Sequence, residues 1–216
     1  RLVIVTPALA SANNGNWQTA RRWASMLRAD YRVRLTNAWK GGDEALMIAL
    51  HARRSADAVA AWRAAHPQRP LVVVLTGTDL YRDIAVDDRA RQSLQWADRL
   101  VVLQALGGNM LPPELKHKVV VCVQSSPPRQ TLAKTGRHLR ALMVGHLRHE
   151  KSPETLFAAA RALRQRPDIL LDHIGAPLDA ALGRAAQACM AECPQYRWLG
   201  ALPHAQTRRR IQQAHV

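Results

Sequence analysis

Short runs of β-branched and other apolar residues alternate along the chain with longer stretches whose apolar positions recur at helical spacing. The runs at residues 2–6, 32–36, 45–50, 71–75, 100–103 and 119–123 read as strands. Residues 17–28 and 55–66 read as helices between them, the second ended by Pro67. This alternation predicts βαβ units and a parallel sheet, hence an α/β fold. Six strands with intervening helices complete one doubly wound domain.

Residues 125–137 interrupt the pattern with Pro127, Pro128 and Gly136, all turn formers, and place a domain boundary there. The expected domains are residues 1–130 and 137–216. The second series predicts strands at 141–144, 169–174 and 196–199 and helices at 153–164, 178–192 and 206–214. Three strands alone leave an unpaired edge and an apolar face, so the second sheet is expected to be incomplete, part of a longer chain.

A chain of 216 residues that is 48% hydrophobic can fill a core, which excludes a disordered protein. No apolar run reaches the roughly 18 residues of a membrane span, and the sequence opens on a strand rather than a charged leader. A soluble, cytoplasmic protein is expected. Cys122, Cys189 and Cys193 are too few for a disulfide framework or a four-ligand zinc site. The tryptophans sit mostly on helices beside apolar neighbours, where core packing is their expected use.

The formal charge of +15 changes the picture, because it calls for an anionic partner: nucleic acid, a membrane surface, or small phosphorylated substrates. The arginines are spread along the helices, and Arg208, Arg209 and Arg210 form the one dense run. A nucleic-acid binder gathers its charge into a stripe with aromatics interleaved, so nucleic acid is the minor reading.

Candidate chemistry collects in loops that follow strands, where an open α/β sheet meets its ligands. The sharpest is Val144-Gly-His-Leu-Arg-His-Glu-Lys151, followed by Ser152 at an N-cap position and Pro153 at the first helical position. Gly145, Arg148 and Lys151 together with a helix start form a diphosphate site in physical terms. An ordinary βα loop with surface charges is the alternative. After the first strand, Asn13, Asn14, Gly15 and Asn16 tolerate positive φ and can turn amides toward an anion, although a plain turn fits equally well. Thr76, Gly77, Thr78 and Asp79 follow a very apolar strand; Thr78 or Asp79 either meets a ligand or caps the next helix. His51 ends the third strand. His146 and His149 lack an acidic or cysteine ligand at suitable spacing, so no metal is expected.

The order of a first-strand loop, a Thr-Gly-Thr-Asp turn, Ala97-Asp-Arg-Leu-Val-Val-Leu-Gln104 and Val144-Gly-His-Leu-Arg-His-Glu-Lys151 is similar to GT-B glycosyltransferases of the large retaining class. Thr6-Pro-Ala-Leu-Ala10, Asn13-Asn-Gly-Asn-Trp-Gln-Thr-Ala-Arg-Arg-Trp23, His51-Ala-Arg-Arg-Ser55, Leu75-Thr-Gly-Thr-Asp-Leu-Tyr-Arg-Asp83 and Tyr196-Arg-Trp-Leu-Gly-Ala-Leu-Pro-His204 resemble the selenosugar synthases of selenoneine biosynthesis. The resemblance implies a GT-B-like pair of Rossmann-like domains facing a cleft, the N-terminal one for the acceptor and the C-terminal one for the donor. It implies that selenophosphate attacks the anomeric carbon of a UDP-sugar, with UDP and phosphate released and no cofactor or metal needed. Arg148 and Lys151 match the residues that hold the donor diphosphate in the parent class, with Gly145 in the same loop. Selenophosphate would then meet Asn13, Asn14, Gly15, Asn16, Thr76, Gly77 and Thr78, and Asp79 and His51 would position the water that splits the selenium–phosphorus bond. The parent class's Glu-rich nucleotide segment has no counterpart here, so the nucleotide is inherited from the resemblance. An ordinary glycosyltransferase with a hydroxyl acceptor shares the donor loop and stays open.

Overall fold

The computed structural model describes residues 1–10, 14–126, 128 and 130–216, and the chain forms two compact units, Arg1–Ser126 and Pro127–Val216. Asn13 lies outside the described residues.

The first unit runs β1 (Leu2–Val5), α1 (Gly15–Leu27), β2 (Val33–Thr36), β3 (Leu46–Leu50), α2 (Ala56–Ala65) and β4 (Leu71–Leu75). A π-helical turn, Asp79–Asp83, then passes through α3 (Ile84–Val86) into α4 (Asp88–Trp96), followed by β5 (Arg99–Val102) and β6 (Val119–Val121). The six strands are parallel in the order β2-β1-β3-β4-β5-β6. Successive side chains of a strand point to opposite faces, and here both faces are covered. Val3, Val5, Met47, Ala49, Val73 and Leu75 pack with Trp62 and Leu94, whereas Leu2, Ile4, Ile48, Leu50 and Val74 pack with Ala20 and Ala24 of α1. Burying each aliphatic side chain stabilises the unit by about 1.5–3 kcal/mol, which is why the strands read as continuous apolar runs.

The order of strands reverses between β1 and β3, which lie side by side with Val5 opposite Ala49. A doubly wound sheet opens its ligand crevice at such a switch, beyond the carboxyl ends of the strands. The strand expected over 119–123 stops at Val121. Cys122 N–H still reaches Val102 O, but the chain then turns toward α1, where Gln124 donates to Thr19 and Arg22 to Ser125.

The second unit comprises β7 (Leu139–Val144), α5 (Pro153–Ala162), β8 (Ile169–Ile174), α6 (Ala180–Glu192), β9 (Tyr196–Trp198) and α7 (His204–Gln213), with parallel order β7-β8-β9. The strand expected at 141–144 begins two residues earlier, because Leu139 N–H already bonds Asp168 O. One sheet face buries Leu171 and Tyr196 against Phe157 and Leu182. The other face holds a buried carboxylate, Asp172, gripped by two hydrogen bonds from Arg197 at 2.7 and 2.9 Å, with Arg140 and Arg210 each 3.7 Å away. The edge of β7 that the sequence left open is met by the last residues: Leu142 N–H donates to Val216 O and His215 N–H to Arg140 O. The chain thus crosses from β9 to the far side of β7, which makes β7 the switch point of this unit. Among the described residues, no helix is long and apolar enough to cross a membrane.

The loops after β7 and β8 meet backbone to backbone at two glycines. A Cβ placed on Gly175 would lie 1.9 Å from Gly145 O, a clash that only main-chain movement relieves. Gly175→Ala is therefore expected to destabilise the chain by about 1–3 kcal/mol in urea unfolding, as for an overpacked core. Gly136→Ala, with nothing within 4 Å of the added carbon, should leave the unfolding curve unchanged.

Candidate functional site

In the first unit the strand ends at the switch point carry an interlocked group of side chains. Asp79 is fully buried, its Oδ1 accepting from Thr76 and Gly77 N–H at 2.9 Å each and its Oδ2 from Ala52 N–H at 2.9 Å. Three charge-assisted bonds to the backbone tie the end of β4 to the end of β3. Both Asp79 oxygens are thus engaged by backbone N–H groups at the strand ends, and the expected side-chain cap of the following helical turn is not made. Gly77, at φ 139°, supplies a turn that a side-chain-bearing residue rarely adopts.

His51 is 2% exposed and has φ 71°. Its Nδ1 accepts from Arg54 N–H at 3.3 Å, which leaves the proton on Nε2, 3.0 Å from Thr78 Oγ1. His51 thus donates to Thr78, and the half-exposed Thr78 hydroxyl keeps its own proton for another acceptor. Burial pushes the His51 pKa down and outweighs the opposing pull of Asp79; the Arg54 charge adds to the depression, and Asp83 pulls weakly the other way. The histidine is held neutral. At the end of β1, Asn14 Oδ1 accepts from Trp17 N–H at 3.1 Å, so Asn14 caps α1, which Gly15 and Asn16 open.

In the second unit the loop after β7 contains Gly145 and Arg148 and closes in a 3-10 turn, His149–Lys151, before α5. The Lys151 stem lies beside Gly145, its Cγ 3.5 Å from where a Gly145 Cβ would sit. Arg148 Nε is sealed from solvent with no hydrogen-bond partner, and Glu150 stands 3.9 Å from it, beyond hydrogen-bond reach. Ser152 does not cap in the expected way. It adopts φ 47°, ψ 52°, makes no side-chain bond to the helix backbone, and pairs its hydroxyl with that of Thr155 at 3.0 Å. Pro153 takes the first helical position, as expected. Among the described residues, His51 and Ser152 are the two non-glycine residues at positive φ, one in each candidate loop. Strain of this kind, of order 1–3 kcal/mol, concentrates at ligand-binding sites.

Both histidines make contacts around the loop. His146 Nδ1 accepts from Ala176 N–H, and His149 lies 3.4 Å from Glu154 and 3.5 Å from Asp179. Among the described residues, no group of three or more His, Cys, Asp or Glu side chains is arranged to hold a metal. Sequence reasoning passed over His173, fully buried, with Nε2–H donating to Gly145 O and Nδ1 accepting from Tyr196 O–H, each at 3.0 Å. The signal was present: Asp172 and His173 interrupt an otherwise apolar strand, and a buried polar group needs a partner.

No family model and no curated protein matches the chain. Solved structures resemble it at low identity. MurG of Acinetobacter baumannii aligns with TM-score 0.52 and 14% identity over 96% of this chain and 68% of that one. The Thermobaculum terrenum O-GlcNAc transferase gives 0.54 and 14% over 100% and 47%, and the UDP co-structure of S. aureus MnaA gives 0.53 and 10% over 99% and 72%. This chain spans 38% of the matched chain of the GtfA/B complex, at TM-score 0.51 and 14% identity over 88% of its own length. The likeness is one of fold: α/β with parallel sheets, resembling GT-B folds.

Burial depresses the pKa of His51 and of His173 alike. The unfolded chain, with histidines near 6.5, then binds more protons than the folded one below that pH. Stability should be complete above about pH 7 and fall as pH drops through 6.5 toward 5, by up to roughly 1.4 kcal/mol per pH unit for each histidine. Urea unfolding between pH 5 and 7.5 measures this. His51→Asn, which tolerates positive φ, should flatten the slope; a wild-type curve without slope would contradict the neutral state of both rings.

Proposed function

We propose that the chain binds a UDP-sugar through the 145–151 loop and transfers the sugar to selenophosphate, as a selenosugar synthase of GT-B type. The observation that carries the reading is the placement of Arg148 and Lys151 in one short loop, the Lys151 stem against Gly145, directly before Ser152 at φ 47° and the start of α5. Guanidinium, ammonium and helix N-terminus share one sign, and together they suit a pyrophosphate. The fold likeness to MurG and the O-GlcNAc transferase supports a glycosyltransferase-type reaction. The selenium-specific part rests on the resemblance of the motifs around Asn14, His51, Thr78 and Tyr196.

The reaction breaks the bond between the anomeric carbon and the UDP oxygen and forms one from that carbon to selenium. Water then splits selenium from phosphorus, giving selenosugar, UDP and phosphate. As UDP leaves, negative charge grows on its diphosphate, where Arg148 and Lys151 stabilise it without rearrangement. In the first unit Asp79 holds the turn that carries Thr76, Gly77 and Thr78, and His51 orients the Thr78 hydroxyl as a donor toward the selenophosphate oxygens. Asn14, Gly15 and Asn16 bring the start of α1 to the same anion. Two anions must be brought together, and the net charge of +15 favours that encounter.

Incubation with UDP-N-acetylglucosamine and selenophosphate should give a product with the selenium isotope pattern by mass spectrometry. Sugar transfer to a hydroxyl acceptor with indifference to selenophosphate would replace selenium by oxygen in the proposal, and no turnover with any UDP-sugar would end it. Arg148→Ala and Lys151→Ala should each lower the rate on the order of 10- to 1000-fold with unchanged melting temperature, the range for losing one preorganised donor. Because these cations take the place of a bridging metal, turnover should persist in excess EDTA; loss of activity restored by magnesium would assign the diphosphate to a metal instead.

A further inference from the structure

Beneath the 145–151 loop, the side chains of β8 and β9 form a buried hydrogen-bonded chain that ends on a main-chain carbonyl. Tyr196 O–H donates to His173 Nδ1 and His173 Nε2–H donates to Gly145 O, each at 3.0 Å. The histidine is completely buried and Tyr196 nearly so. Gly145 O is also the atom that Gly175 approaches so closely that no side chain fits there. Three further bonds fasten the same stretch to the end of β8 and the loop after it: Gly145 N–H to Ile174 O, Leu147 N–H to Ala176 O, and Asp179 N–H to Leu147 O. Trp198 Nε1–H holds Gly175 O at 2.9 Å from the other side.

A histidine in an apolar strand is an expensive choice for packing alone, since a leucine or phenylalanine would fill the volume without a polar group to satisfy. A ring with one donor and one acceptor, each matched, fixes direction as well as distance. Gly145 is the residue against which the Lys151 stem rests, and Arg148 lies three positions on in the same loop.

We infer that His173 and Tyr196 are positioning residues for the diphosphate loop: the imidazole, oriented by the tyrosine, pegs the Gly145 carbonyl and thereby aims Arg148 and Lys151. The inference rests on the donor-loop reading above, and its test separates the two. A misplacement of about 1 Å at a binding constellation changes rate or affinity on the order of 100-fold. Glutamine can carry an N–H to nearly the place of imidazole Nε2, whereas leucine fills the space with no donor.

The experiment compares wild type, His173→Leu, His173→Gln and Tyr196→Phe in the full chain. It records melting temperature, the Kd of UDP by calorimetry, and the exchange rate of the Gly145 and Leu147 amides without nucleotide. His173→Leu is expected to bind UDP on the order of 10- to 100-fold more weakly and to exchange faster at those amides. His173→Gln should stay within about 3-fold of wild type, and Tyr196→Phe should weaken binding roughly 5-fold, the loss of one hydrogen bond. A folded His173→Leu with wild-type affinity and exchange overturns the inference, as does a glutamine variant as impaired as the leucine one. If the leucine variant does not fold, glutamine and Tyr196→Phe decide: wild-type exchange in the first with faster exchange in the second supports the peg, and any other pair of results overturns it. If wild-type protein does not bind UDP, the diphosphate reading falls while the exchange rates still decide the peg.

Discussion

Sixteen carboxylates cannot neutralise thirty-one basic side chains, and the way this surplus is distributed governs everything proposed for the molecule. Most acidic groups are matched locally: Asp43 with Arg1, Glu44 with Arg34, Asp87 with Arg53, Asp98 with Arg63, Glu192 with Arg161, Asp168 with Arg166. Apart from Glu44, which is buried, these are surface pairs that contribute about 0–1 kcal/mol apiece, so they do more to quench charge than to hold the fold. Arg148, like Arg140, buries its Nε with no hydrogen-bond partner, the nearest carboxylate being Glu150 at 3.9 Å and Asp172 at 3.7 Å respectively.

Preorganisation is the second theme, and it takes the same form in both units. A buried neutral histidine near the end of a parallel strand donates from Nε2 into a loop: His51 to the Thr78 hydroxyl, His173 to the Gly145 carbonyl. A second group fixes each tautomer, Arg54 N–H in one case and Tyr196 O–H in the other. Positive φ at His51, just past β3, and at Ser152, at the end of the loop after β7, stores strain beside these contacts. Packing holds these shapes before any ligand arrives, so binding need not supply the ordering free energy.

The sequence made the sheets legible because burial on both faces demands unbroken apolar runs, as in Leu71–Leu75. The 145–151 loop could be singled out from glycine, cations and a Ser-Pro helix start. Its geometry could not, since Ser152 reads as an ordinary cap until the surrounding chain forces it to φ 47°. Asp79 showed itself as polar at a strand end, but its three backbone partners depend on how β3 and β4 are aligned. His173 escaped notice because its acceptor lies 28 residues away and is a main-chain atom, invisible to any motif. Local patterns record burial; partners across a sheet are set by register.

The central claim is that the 145–151 loop and the start of α5 receive a nucleotide's diphosphate, and amide NMR shifts during titration with UDP and, separately, with uridine test it most directly. UDP should move the amides of residues 145–155 well beyond any shift caused by uridine. Equal shifts from the two ligands, or UDP shifts concentrated outside that stretch, would contradict it.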